Sequence, residues 1–294
     1  MKDLKNVLVV INHRDDGEIV FEKALALAAG SGATLHVTKV IWEGFVDLSV
    51  HDIEQSQALK TFVMASEETF LEDLIDSFNL SGARPESSVL WNKHEHEAIL
   101  HAADECKADL IIKPTRHPSD TVVRTPQDWH LLRHSKVPVL LVKPGAWMEK
   151  PGLVAAIDVQ NESQHELSAR IISTANDIRQ FLGGNLTLVN AFPTVEHWVG
   201  PITVAIDFGK VRDSVQSEIE HLLSKAAAGL DIQPDGLMAR EGEVHKAIEA
   251  LVTETSAEIL VIGTAQRTGA AGTMIGNTSE AILHHANCDV LVLR

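Results

Sequence analysis

Cysteine is nearly missing from this sequence. Cys106 and Cys288, two residues in 294, stand far apart in different halves and fit neither a disulfide framework nor a CxxC metal site. Both read as small core residues. Basic residues are also scarce, 25 against 41 acidic ones, and the resulting net charge of −16 repels phosphate backbones and anionic membranes. Nucleic acid and membrane surfaces are therefore not expected as partners. No uncharged apolar stretch reaches the ~20 residues of a bilayer span. The opening Met1-Lys2-Asp3-Leu4-Lys5 runs straight into a strand-like segment with no signal peptide, so the cytoplasm is the expected location. No G-x-S-x-G elbow or other nucleophile motif occurs, and nothing points to a hydrolase triad.

What is present describes a folded globular chain, 45% apolar and 22% charged. At roughly 150 residues per domain the length favours two domains, and an internal repeat makes that a duplication. The apolar run Val7 to Asn12 returns 146 positions later as Leu153 to Asp158, and Leu35 to Val40 returns as Leu186 to Ala191 after 151. The helical face of Ile99, Ala102, Ala103 and Cys106 recurs at Ile248, Leu251, Val252 and Thr255, offset by 149. Continuous apolar runs follow at 108–112 and 257–261, and last strands at 137–142 and 288–293.

Strands alternating with helices in this way predict a parallel α/β sheet in each half. The first helix is expected to stop at Gly30, its counterpart at Gly183-Gly184. Long helices are expected at 51–78 and 207–228. The stretch from Lys143 to Gly152, flanked by Pro-Gly pairs, reads as a linker. The boundary is placed near residue 148, with domains 1–147 and 148–294.

In an open parallel sheet the ligand crevice lies beyond the carboxyl ends of the strands where strand order reverses, here strands one and four. In the second half strand four enters a glycine-rich loop, Gly263 to Glu280, that opens a helix. Backbone N–H groups and a helix N-terminus suit a phosphate, and Asp158 at the end of strand one could accept hydrogen bonds from a purine or ribose. The first-half segment, Pro114 to Pro126, has three prolines and no glycine, and Asn12 stands where Asp158 does. One phosphate site at most is expected, in the second half.

These residues carry a resemblance to the tandem universal stress proteins that covers the whole chain. That family's signature is a Gly, two residues, a Gly, nine residues, then Gly-Ser or Gly-Thr. Gly263 and Gly276 match it, Gln266 replaces the second glycine, and Asn277-Thr278 follow the third. Gly276-Asn277-Thr278 and Thr125 to Arg133 match one tandem subgroup more particularly. The resemblance implies α/β architecture with two tandem doubly wound parallel-sheet domains, Rossmann-like, forming an intramolecular pseudo-dimer. It implies a stress-response protein that binds a small ligand. The cofactor would be ATP with Mg, with adenine at Asp158 and Ala191 and phosphates at Ile262, Gly263, Thr264, Gly276, Asn277 and Thr278. Slow ATP hydrolysis stands as a distant third reading, behind binding without turnover.

Two further patterns compete. Fifteen histidines include His94 and His96 around Glu95, His101, and the adjacent His284-His285, but no spacing matches a zinc prototype and no metal is expected. His134 and His285 fall at equivalent positions before the last strand and suggest a shared packing role. Apolar residues follow each second strand: Trp42, Phe45 and Val46, then Phe192, Val195, Trp198 and Val199. They read first as caps over the sheet edge, and in the alternative as a pocket for an apolar metabolite or a protein partner. Association of two tandem chains into a homodimer is a further expectation.

Overall fold

The computed structural model describes residues 1, 3–44, 46, 53–80, 82–115, 126–194, 207–264, 267–269, 272–274 and 277–294. For 53, 126, 127, 267–269, 272–274, 277, 278 and 284 only the backbone is described. The chain divides into two units, one of Asp3–Ala146 and one of Met1–Lys2 with Trp147–Arg294.

The first unit runs β1 (Asn6–Val10), α1 (Arg14–Ser31), β2 (Thr34–Ile41), α2 (Ile53–Asp76), β3 (Glu86–Trp91), α3 (Glu95–Glu105), β4 (Leu110–Pro114), α4 (Pro126–His134) and β5 (Val139–Val142). Its strands pair in parallel in the order β3-β2-β1-β4-β5. The second unit repeats this with β6 (Gly152–Ala156), α5 (His165–Leu182), β7 (Asn185–Phe192), α6 (Phe208–Ala228), β8 (Gly236–Glu241), α7 (Val244–Glu254) and β9 (Ile259–Gly263). An antiparallel hairpin follows, β10 (Arg267–Gly269) with β11 (Gly272–Met274), then α8 (Asn277–His285) and β12 (Asp289–Leu293). The parallel order is β8-β7-β6-β9-β12.

The central strands are buried because helices cover both sheet faces. Val7, Val9 and Val10 of β1, Leu110 to Ile112 of β4 and Leu260 and Val261 of β9 are fully enclosed. Amphipathic helices supply the cover. α3 turns Ala98, Ile99 and Ala103 inward, and α7 turns Ala247, Ile248, Leu251 and Val252.

One predicted stop moves. α1 continues through Gly30 and ends at Gly32, which takes φ +77° and donates its N–H to the Ala28 carbonyl. Only that position adopts the left-handed conformation glycine favours. α5 ends at Gly183 with φ +66°, as the sequence predicts. The linker is tied at both ends to its own unit: Lys143 O accepts from Lys23 Nζ at 3.0 Å, while the Trp147 indole N–H donates to Asp289 Oδ2 at 2.8 Å. Cys288 is buried, but Cys106 is only half-buried because it caps the end of α3 and is not in the core.

Candidate functional site

Strand order reverses between β1 and β4 in the first unit and between β6 and β9 in the second. The crevice past those strand ends is where such sheets bind ligands. In the second unit β6 and β9 lie side by side in the register Ala155 to Val261, so the residues just beyond them, Asp158 and Gly263-Thr264, emerge at one edge. Asp158 stands two residues past the end of β6 and is exposed. Among the described residues its Oδ1 accepts only the local Gln160 N–H at 3.2 Å.

Ile262 is buried in β9, paired with Val292 of β12. Gly263 closes the strand, and its carbonyl accepts from Ser279 Oγ of α8 at 3.2 Å. A Cβ built on Gly263 would lie 2.7 Å from Leu167 Cδ2 and 2.9 Å from Ile171 Cδ1 of α5. Strand–helix packing therefore favours glycine here whether or not a ligand approaches it, since a larger residue would push the Leu167 and Ile171 side chains aside. Thr264 donates its N–H and its hydroxyl to the Leu293 carbonyl at 2.7 and 3.2 Å.

Ala191, expected after strand two, lies inside β7. Fully buried Phe192 extends the strand, and both residues stay paired with β8. Asn277 and Thr278 open α8, whose first N–H groups have no intrahelical partner. Gly276 and Gln266 lie outside the described residues. The loop that the sequence reads as a glycine-rich cradle carries the β10–β11 hairpin, with Gly269 opposite Gly272.

The first unit fills its own switch point. Lys113 of β4, 2% exposed, contacts Asp128 Oδ1 of α4 at 2.9 Å and Glu95 Oε1 of α3 at 3.2 Å. The Asn12 amide, oriented with its oxygen toward the ammonium, accepts from Lys113 Nζ at 2.8 Å and donates to Glu95 Oε1 at 3.2 Å. The ammonium thus has three oxygens within 3.2 Å, the Asp128 contact being an ion pair without hydrogen-bond geometry. Burial alone would lower the lysine's pKa, but the two carboxylates outweigh it and hold the pKa above its ordinary value. The sequence signal was a lysine at the end of the apolar run Leu110 to Ile112, where the second half has Ile262.

Thr115 mirrors Thr264, donating its N–H and hydroxyl to the Val142 carbonyl at 2.7 and 3.1 Å. This threonine ties strand four to the last strand in both units.

Among the described residues no group of three His, Cys, Asp or Glu could hold a metal. His134 and His285 each stack on another imidazole, His130 and His245 respectively. Of the apolar residues after strand two, Val46 and Phe192 are buried, while Trp42 is 38% exposed with Lys93 Nζ 5.4 Å from its ring centroid. Phe45, Val195, Trp198 and Val199 lie outside the described residues.

The sequence profile described as the universal stress protein family matches residues 3–143 and again 154–294. The chain is 26% identical over 305 residues to the universal stress protein E homolog of Haemophilus influenzae, covering 99% of this chain and 97% of that one. It is 25% identical to universal stress protein E of Escherichia coli, covering 99% and 94%. A functionally unknown protein from Pseudomonas aeruginosa superposes with TM-score 0.72 at 25% identity over 99% of this chain and 93% of the other. A universal stress protein from Archaeoglobus fulgidus superposes at 0.66 and 17% identity, over 100% and 97%.

Proposed function

Because the chain belongs to the universal stress protein family, we propose that it is a cytoplasmic stress-response protein that binds an adenine nucleotide in its second unit only. The observation that carries this reading is the contrast at the two switch points. Lys113 and its partners occupy the first, whereas beside the second stands the exposed Asp158 with one local hydrogen bond. Asp158 is the group to accept from the nucleoside, and the opening N–H groups of α8 are the donors for phosphate. The Thr264 hydroxyl is committed to Leu293 and contributes structure, not ligand contact. Magnesium would arrive with the phosphates, since such ions are held mainly by substrate oxygens and water. No described helix is long and apolar enough to cross a membrane, which suits the proposed location.

Isothermal titration with ATP and magnesium tests the reading. The intact chain should give saturable heat at one site, and Asp158→Ala should weaken binding about tenfold, the equivalent of one good hydrogen bond to a charged group. No heat from the intact chain would overturn the proposal. Phosphate release should stay at the buffer blank, because among the described residues no acid–base pair stands beside Asp158 to activate water.

A second reading rests on a different observation. Trp42, Leu59 and Phe62 of the first unit are exposed by 38, 37 and 72%, and we read them as the residues an apolar metabolite or a protein partner would contact. An unchanged Tm across a panel of acyl and aromatic compounds would remove the metabolite form of it.

A further inference from the structure

Four histidines of the first unit form a column that the nucleotide reading does not use. His94 and His96 stand at the start of α3, and His130 and His134 lie one turn apart on α4. Ring centroids are 6.2 Å apart from His94 to His96, 4.8 Å from His96 to His130 and 6.0 Å from His130 to His134. The His96–His130 pair lies within 23° of parallel. The tightest contact of the column is thus the one that crosses from helix to helix. These same two helices each send one carboxylate, Glu95 from α3 and Asp128 from α4, to the buried Lys113 of β4. Stacking and ion cluster therefore depend on one helix–helix spacing.

The second unit differs at each point. Val244 and Ser279 stand where Glu95 and Asp128 do, and Ile262 where Lys113 does. Its described ring stack has two members, His245 and His285, 6.1 Å apart. The packing differs as well. A cavity of about 140 Å³, lined by Leu100, Ala103, Ala108, His134 and Val137, lies between α3 and α4. Its counterpart beside Ile248, Val252 and Ile282 holds about 10 Å³. The first unit's helix pair is thus less tightly packed at this open-sided pocket than its counterpart.

His96 is half-buried and its Nδ1 has no hydrogen-bond partner. Burial first, then the imidazoles of His130, His94 and His134, hold its pKa below the ordinary value, while Glu97 acts in the other direction. The remaining titratable and charged groups on the packed elements are Glu95, His101, Asp104 and Glu105 on α3, Asp128 and Arg133 on α4, and Lys113 on β4; Glu95 and Asp128 are engaged with Lys113, Glu105 lies by His101 and Asp104 by Lys136. His134 Nδ1 lies 2.8 Å from the His130 carbonyl, which ties its ring to its own helix.

We propose that the column is an acid-sensitive latch: protonated imidazoles repel across the α3–α4 contact, part the two helices and draw Glu95 and Asp128 away from Lys113. In the neutral form the rings stack and the latch is shut. An unfolded chain takes up its imidazole protons near the ordinary value of about 6.5, whereas folded His96 takes one up only at lower pH. The stability contributed by neutral His96 is therefore present above about pH 6.5 and is lost as pH falls through its folded value.

Hydrogen exchange of the full chain at about pH 7.5 and about pH 5.5, corrected for intrinsic rates, tests the latch with the second unit as internal control. Protection of α3 and α4 should fall roughly tenfold at the lower pH while that of α7 and α8 stays within about twofold. The double variant His96→Gln, His130→Gln should keep α3 and α4 protected at both. Equal loss in the two units, or loss that persists in the variant, would overturn the proposal. Imidazole titration by NMR on the unaltered chain gives a readout that does not depend on the variant folding. His96 should titrate below the ordinary range and shift with His130, and four independent, ordinary titrations would overturn the latch.

Discussion

The two switch points are the most instructive pair of places in the molecule, because one scaffold carries two opposite solutions. At the first, a lysine at the end of a buried strand is held by two carboxylates and an amide. At the second, Ile262 takes the lysine's place and the polar groups retreat to Asp158 and the start of α8. A doubly wound sheet has to satisfy whatever stands past its strand ends. It can do so with its own side chains or leave the place to a ligand. The shared threonine bond to the last strand, Thr115 to Val142 and Thr264 to Leu293, shows which part of the edge belongs to the scaffold.

Five variants would break or sharpen this contrast. Asp128→Ala leaves the buried ammonium with one carboxylate and should cost about 3 kcal/mol, read as a lower urea midpoint for the first unit. A cost under about 1 kcal/mol would place the cluster among ordinary surface pairs. Gly263→Val drives a side chain into Leu167 and Ile171 and should cost about 2 kcal/mol through overpacking, part of it recovered when Leu167→Ala is added. Thr115→Val and Thr264→Val should each cost about 1 kcal/mol. If Thr264→Val also weakened ATP by tenfold or more, its hydroxyl would have to be reassigned to the ligand. The smallest net change is expected from the triple variant Glu95→Val, Lys113→Ile, Asp128→Ser, which writes the second unit's residues into the first. Replacing a whole buried ion cluster with residues that pack is close to neutral, within about 1 kcal/mol of the parent. The triple variant falling as far as Asp128→Ala alone would mean that the second unit's solution does not transfer.

The repeated architecture was readable because buried parallel strands need uninterrupted apolar runs, and runs such as Leu110 to Ile112 and Ile259 to Ile262 have few other uses. The choice between Gly30 and Gly32 was not readable, since both glycines tolerate a cap and only the geometry of the last turn selects one. Composition suggested a cradle in the loop after Gly263, yet glycine serves a hairpin turn equally well, and Gly269 and Gly272 are found paired across one. Gly263 itself was found for an incomplete reason. The pattern marked it for a phosphate, but the nearest demand on it comes from α5.

The ion cluster went unseen because its members, residues 12, 95, 113 and 128, come from four separate elements and meet only once the sheet is wound. A lysine in an apolar strand was the single local clue. The histidine column is similar. Sequence spacing carries no metal pattern among the histidines, whereas the nearest ring to His96, that of His130, lies on another helix.

The enclosure of Lys113 bears on how the chain responds to its surroundings. A solute reaching this ammonium would have to displace two carboxylates and an amide of the protein itself, so ligand binding there would stabilise the first unit little. On the proposed function, a ligand at the second switch point would instead stabilise the second unit by mass action. When a metabolite becomes scarce, the lifetime of that unit against proteases would shorten while the lifetime of its neighbour held. The chain would then register supply through the uneven persistence of its two halves.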